Sequence, residues 1–261
     1  MKINILCLYY DLMNLYGDNG NIKAIKYQLE NQGLKTVVDF LTIGDNIDFD
    51  KYDLLYLGPG TYDNQKIILK DLMKYQKNIK RFIDDDKFVI ATGNALELFG
   101  KSIKPLNGKN IKALNIFDFE SEETELRLVG ETVATCNSLK KEVIGFQNQN
   151  SIITKLKNPW FELSKGIGSN VNSNIEGINY KNFYGTYMIG PILVRNSELL
   201  ELICKKLILQ KNKDFKFKSF NVTLENKAYN EYIKNYLTKK VWSLILLFCI
   251  YNTIISIFSL I

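Results

Sequence analysis

Between residues 3 and 92, short runs of strand character alternate with stretches of helical periodicity, and few folds accommodate that order. Ile3–Tyr9 (INILCLY) is a continuous apolar run of buried-strand type, and the signal returns at Thr36–Leu41, Asp53–Leu57 (DLLYL) and Phe88–Ala91. Asn21–Gln32 places Ile22, Ile25 and Leu29 on one helical face, with Gly33 as a stop. From Asn64 to Ile83, the residues Ile68, Leu72, Tyr75, Ile79 and Phe82 keep a 3.6-residue spacing, which predicts one long amphipathic helix. Strands separated by helices pair in parallel through right-handed crossovers. The expected fold is therefore α/β, a doubly wound, mostly parallel sheet with flanking helices.

After Gly100 the pattern turns to strands and turns, with sheet expected at Ala113–Phe119, Leu126–Ala134, Glu142–Phe146, Gly177–Tyr180 and Tyr184–Met188. Asn196 reads as the cap of a helix over Ser197–Gln210, and Leu224–Lys240 reads as helical. The expected layout is a domain over 1–225, a basic connecting helix over 226–240 and a hydrophobic tail over 241–261. That tail carries no charge and follows Lys239 and Lys240. As a C-terminal helix it would span roughly 30 Å, a bilayer core, with the lysines holding the preceding domain in the cytoplasm. A helix packed on a protein partner and an extension without function stay open beside this anchor.

The chain of 261 residues is 46% hydrophobic and 24% charged, an ordinary globular balance. Its net charge of +6 comes largely from the last third, where Lys205, Lys206, Lys211, Lys213, Lys216 and Lys218 crowd together. No recognition motif accompanies them, so a solvated face is expected rather than a nucleic-acid site. The four cysteines form no CxxC pair, which points to a reducing compartment and away from disulfides or a zinc ribbon. Histidine is absent altogether, which removes both the commonest general base and the commonest metal ligand. Neither metal nor cofactor is expected. The opening MKINILCLYYD reads as a first strand rather than a signal peptide.

Ligands of open parallel sheets bind beyond the carboxyl ends of the strands. Three Gly-containing turns fall there: Gly58-Pro59-Gly60, Thr92-Gly93-Asn94, and the stretch around Tyr187-Met188-Ile189-Gly190. The second lies in VIATGNALELFG, a strand-to-helix turn written like a nucleophile elbow with Thr92 at its apex.

Taken in order, these segments resemble a family. LMNLYGDNGNIKAI (Leu12–Ile25), DLLYLGPGTYDNQ (Asp53–Gln65), VIATGNALELFGK (Val89–Lys101), NIFDFESEETELRLVGE (Asn115–Glu131), VIGFQNQ (Val143–Gln149) and EGINYKNFYGTYMIGPIL (Glu176–Leu193) are similar to the glutaminase subunits of lipid II isoglutaminyl synthases, the GatD type, within the class I glutamine amidotransferases like cobyric acid synthase. The resemblance covers about residues 1–225 and leaves out the tail. It implies glutamine hydrolysis by a Cys-His pair, with ammonia passed to a Mur ligase-like partner (MurT type) in a heterodimer. That partner would use ATP to amidate D-glutamate of the peptidoglycan stem. It also implies a glutamine-binding role for Arg127 and backbone oxyanion contacts at Gly60 and Gly93.

The departures from the family bear on that chemistry. Thr92 stands at the nucleophile position, where the family has Cys, and Ile189 at the base position, where it has His. A Thr hydroxyl needs a positioned base, and an aliphatic side chain is not one. Pro59, in the middle of the glycine loop, has no N–H to offer an oxyanion, although Gly60 retains one. Gln149 stands where the family often shows histidine, and Glu97 is expected to face solvent or substrate. Three readings stay open: a subunit that has lost glutaminase activity but keeps its partner surface, an active enzyme using Thr92, and a membrane-tethered protein binding a small amino acid or muropeptide.

Overall fold

A computed structural model of the chain describes residues 1–235. The expected hydrophobic helix over 241–261 lies outside the described residues. Residues 1–220 form one compact unit, and a second begins at Asn221, carrying the helix α6 (Thr223–Ile233).

The first sheet is built from β1 (Lys2–Leu8), β2 (Lys35–Leu41), β3 (Leu54–Leu57), β4 (Phe88–Thr92), β11 (Ile178–Tyr180) and β12 (Phe183–Thr186), in the order β11-β12-β4-β3-β1-β2. All its pairings are parallel except β11 with β12. Every residue of β3, β4 and β12 is buried, as parallel strands covered on both faces require. Leu6, Leu8, Leu55, Leu57, Val89 and Ala91 alternate onto one face and join Ile68, Leu72, Ile79 and Phe82 of α2 (Tyr62–Leu72) and α3 (Gln76–Asp84) in a single core. The helices α1 (Gly20–Asn31), α4 (Ile192–Arg195) and α5 (Ser197–Lys211) pack on one another.

Three local expectations are corrected. The helix expected over Asn64–Ile83 is two helices joined by a 3-10 turn at Met73–Tyr75. The chain tightens there just after Asp71, a buried carboxylate bound by Tyr9 Oη at 2.9 Å and Lys74 Nζ at 2.5 Å. The elbow continues into a 3-10 helix, Gly93–Phe99, rather than an α-helix. Asn196 stands at the N-cap position of α5 without capping it; its side chain instead bonds the backbone N–H and carbonyl of Ile144, at 2.8 and 2.7 Å.

The wider correction is a second, mostly antiparallel sheet. It contains β5 (Ser102–Lys104), β6 (Ile111–Lys112), β7 (Glu120–Thr135), β8 (Val143–Thr154), β9 (Phe161–Lys165) and β10 (Ile175–Glu176), in the order β10-β9-β7-β5-β6 with β8 on β7. Only β5 and β7 run parallel. Ala113–Phe119, expected as a strand, is irregular and feeds β7. A register shift between Glu123 and Leu128 leaves a bulge in β7, and bulges re-aim side chains. Arg127 sits in it.

Candidate functional site

The chain reverses direction across the sheet between β1 and its neighbours β2 and β3, so the loops after β1 and β3 part and leave a crevice at the carboxyl ends. A cavity of about 270 Å³ opens there, lined by Leu15 and Tyr16 after β1, Pro59–Tyr62 after β3, Gly93, Asn94 and Glu97 after β4, and Arg127, Asn148–Ser151, Tyr187 and Ile189 from the other side. Four of the five residues singled out in the sequence, Gly60, Gly93, Arg127 and Ile189, meet at this one cavity. Thr92 does not line it.

Thr92 is fully buried beneath the cavity floor. Its hydroxyl donates to the carboxylate of Asp18, which also accepts from Tyr56 Oη. The Thr92 and Tyr56 hydroxyls lie 3.2 Å apart, and Asn21 Nδ2 donates to Tyr56 Oη at 3.0 Å. Burial pushes the Asp18 carboxyl up to about 6, with the hydrogen bonds from Thr92 and Tyr56 pulling the other way. Asp18, Asn21 and Tyr56 lie within the segments Leu12–Ile25 and Asp53–Gln65, but no role for them is legible in the sequence; they meet because the loop after β1 folds under the end of β4.

Gly93 holds the turn at φ +58°, and a Cβ there would stand 2.6 Å from Pro59 Cβ and 3.1 Å from Ile189 Cγ2. Ile189 is thus beside the elbow, held by its N–H to Phe146 O at 2.9 Å, and it presents only aliphatic carbon to the cavity. The Gly60 N–H, next after Pro59 in the glycine loop, is taken by Asn94 Oδ1 at 3.0 Å, and Asn94 Nδ2 returns a bond to Gly60 O at 3.0 Å. The residue that follows the elbow glycine therefore occupies the N–H that was expected to serve an oxyanion. Gln65 Nε2 fixes Asn94 in turn, through its carbonyl at 2.7 Å.

Glu97, expected to face solvent or substrate, is fully buried against the cavity floor. The 3-10 winding after the elbow turns it inward, where it accepts from Ser151 Oγ, from Tyr187 Oη at 3.1 Å and from Gln65 Nε2 at 3.2 Å. Burial raises its carboxyl to about 6. Arg127 stays exposed at the rim, with Nε donating to Asn148 Oδ1, while Asn148 Nδ2 donates to Tyr16 Oη at 3.1 Å. Gln149 is built into β8, accepting from Gln147 Nε2 at 3.1 Å and donating to Ser151 O at 3.0 Å. The cavity thus pairs a guanidinium at its mouth with a buried carboxylate at its floor.

Comparison with known proteins agrees with this architecture. The CobB/CobQ-like glutamine amidotransferase domain matches residues 4–197. The chain is 31% identical over 235 residues to the lipid II isoglutaminyl synthase (glutamine-hydrolyzing) subunit GatD of Streptococcus pneumoniae, covering 88% of this chain and 90% of that protein. It is 29% identical over 227 residues to the subunit of the same name from Staphylococcus aureus, covering 87% and 93%. A crystal structure of a glutamine amidotransferase from Thermotoga maritima superposes with a TM-score of 0.51 over 91% of this chain and 97% of that one, at 12% identity, which speaks to fold alone. A cavity at the switch point of the sheet, an elbow on its edge and sequence likeness along most of the chain agree: this protein belongs to the CobB/CobQ-like glutamine amidotransferase domain family, among its GatD-type members.

Proposed function

We propose that this chain is the GatD-type subunit of a lipid II isoglutaminyl synthase and has lost glutamine hydrolysis. It supports amidation of D-glutamate in the peptidoglycan stem beside a Mur ligase-like partner of the MurT type, which draws ammonia from solution or from another glutaminase. The observation that carries this reading is the placement of Thr92, whose hydroxyl is buried and donated to Asp18 instead of facing the cavity. Ile189 at the base position and Asn94 on the Gly60 donor support it. On the same reading the protein works in the cytoplasm, with residues 241–261 holding it to the inner face of the membrane.

A second reading, hydrolysis by Thr92 with Asp18 as its base, draws on the same hydrogen bond. It is disfavoured because the nucleophile must reach a substrate atom through the floor of the cavity. One assay separates the two: ammonia release from glutamine by the purified protein with its ligase partner, compared with Thr92→Ala. The expected outcome is background release by both proteins, with amidation sustained by ammonium. Glutamine turnover that Thr92→Ala abolishes would overturn the proposal.

A further inference from the structure

The end of the first sheet opposite the cavity carries a concentration of positive charge that the amidotransferase reading does not use. Lys2 and Lys35, the first residues of β1 and β2, are exposed and adjacent in the parallel ladder. Like charges side by side in a ladder repel, so this pairing is a cost to folding. Beside them runs the segment that starts at the last residue of α5, KNKDFKFKSF (Lys211–Phe220). It is tied at both ends of the strap. Lys211 Nζ bonds Lys2 O and Asp53 Oδ2, each at 2.8 Å, and Lys218 exchanges backbone bonds with the side chain of Gln32, at 2.8 and 3.0 Å, three residues before Lys35.

Along the strap the side chains sort by chemistry. Phe215 and Phe217 are half-buried and Phe220 is buried, with the rings of Phe217 and Phe220 5.5 Å apart. Lys213, Lys216 and Lys218 are exposed, and none of them forms an ion pair among the described residues. The carboxylates on or against the strap are Asp214, Asp53, which is bonded to Lys211, and Glu201, which accepts from the Phe220 N–H at 2.9 Å. Farther along the same end of the sheet Asp48, Asp50, Asp84 and Asp86 are paired with Lys51, Arg81, Lys80 and Lys181. The fold thus anchors an extended strap by its aromatic residues and turns its lysines outward beside Lys2 and Lys35.

We propose that this lysine face rests on an anionic phospholipid surface, leaving the cavity at the far end of the sheet free. Juxtamembrane lysines are attracted by such a surface without a shaped pocket, which suits exposed ammonium groups that have no ion-pair partner among the described residues. The inference rests on the reading above in one respect: an acceptor linked to a lipid brings the chain to a membrane.

The test is co-sedimentation of the full chain with vesicles of phosphatidylglycerol and phosphatidylcholine against vesicles of phosphatidylcholine alone, at low and high salt. The hydrophobic stretch would partition alike into both, so the readout is the ratio between them. That ratio is expected to favour the anionic vesicles, to collapse at high salt, and to fall roughly 100-fold in Lys213→Gln/Lys216→Gln/Lys218→Gln, about a factor of five per lysine. The three side chains are exposed, and a thermal melt like that of the parent chain confirms a folded variant. Equal binding to both vesicles, or a ratio untouched by the triple substitution, overturns the proposal; so does tighter binding to a labelled polyuridylate than to the anionic vesicles. Neither glutamine nor a ligase enters this assay, so its failure is distinct from failure of the proposed function.

Discussion

A hydroxyl at the end of β4 has two directions open to it, up into the cavity or down toward the loop that passes under the sheet, and Thr92 takes the second. The choice follows from Asp18, a carboxylate with no solvent exposure that needs donors and finds them in Thr92 and Tyr56. The same surroundings decide what a cysteine would do there. Cys7, also buried, has its thiol pushed up to about 12, first by burial and then by the charge of Asp18. Restoring the family's nucleophile by Thr92→Cys is therefore expected to yield a neutral, shielded thiol and no glutaminase activity. Iodoacetamide labelling followed by peptide mass checks this, with half-buried Cys136 as internal reference. The introduced thiol should label far more slowly than Cys136 in the native protein and equally in urea; rapid native labelling would mean that the position opens onto the cavity.

The inner strands of the first sheet are legible in the sequence because β3 and β4 are buried on both faces and so are written as continuous apolar runs. The second sheet is less so, and β8 shows why. Its buried positions Gln147, Gln149 and Ser151 are polar because that face bonds Thr132, Glu97 and its own backbone along the cavity wall. The alternation that marks a half-buried strand is thus erased where the strand serves the site, and the expected strand stopped at Phe146 although pairing continues to Thr154. The first half of β7 is hidden for a related reason, since Glu120 and Glu122 flank a single buried Ser121. Of the site, the loop positions Gly60, Gly93, Arg127 and Ile189 were readable through resemblance, whereas Asp18 and the Asn94 clamp depend on contacts across more than 30 residues. The elbow shows what these contacts demand of an element. Gly93→Ala combines a left-handed backbone with a Cβ against Pro59, so it should destabilise the protein by roughly 2–4 kcal/mol. Urea unfolding measures it, and a loss below about 0.5 kcal/mol, the range of an unremarkable surface substitution, would show that the turn does not need glycine.

At the scale of the molecule, three carboxylates share one circumstance: each is wholly buried and none has a cationic partner among the described residues. Asp18 and Glu97 are raised by burial to about 6 from 3.8 and 4.5, and Glu176 to about 7 from 4.5, the last while accepting from Thr186 Oγ1 at 2.7 Å and from the Tyr187 N–H at 2.6 Å. In each case the folded state holds its proton more tightly than the unfolded chain. The contribution of these groups is therefore complete below their unfolded values, near 4, and is lost as pH rises from there to about 7, by up to about 1.4 kcal/mol per pH unit for each group over its own window. The opposite sign holds for exposed Asp118, whose bonds to Lys101 and Lys157 lower it to about 2, so its small contribution disappears only on strong acidification. The three buried carboxylates thus weigh stability toward the acidic side of neutrality. Thermal melts across pH 4 to 8 should show the midpoint declining toward pH 8. Glu176→Gln should flatten the upper part of that decline, because it removes the group that ionises last and keeps a carbonyl oxygen to accept one of the two bonds. A midpoint that rises between pH 5 and 7.5 would mean that the three carboxylates are charged without penalty, and that water or a cationic partner reaches them in solution.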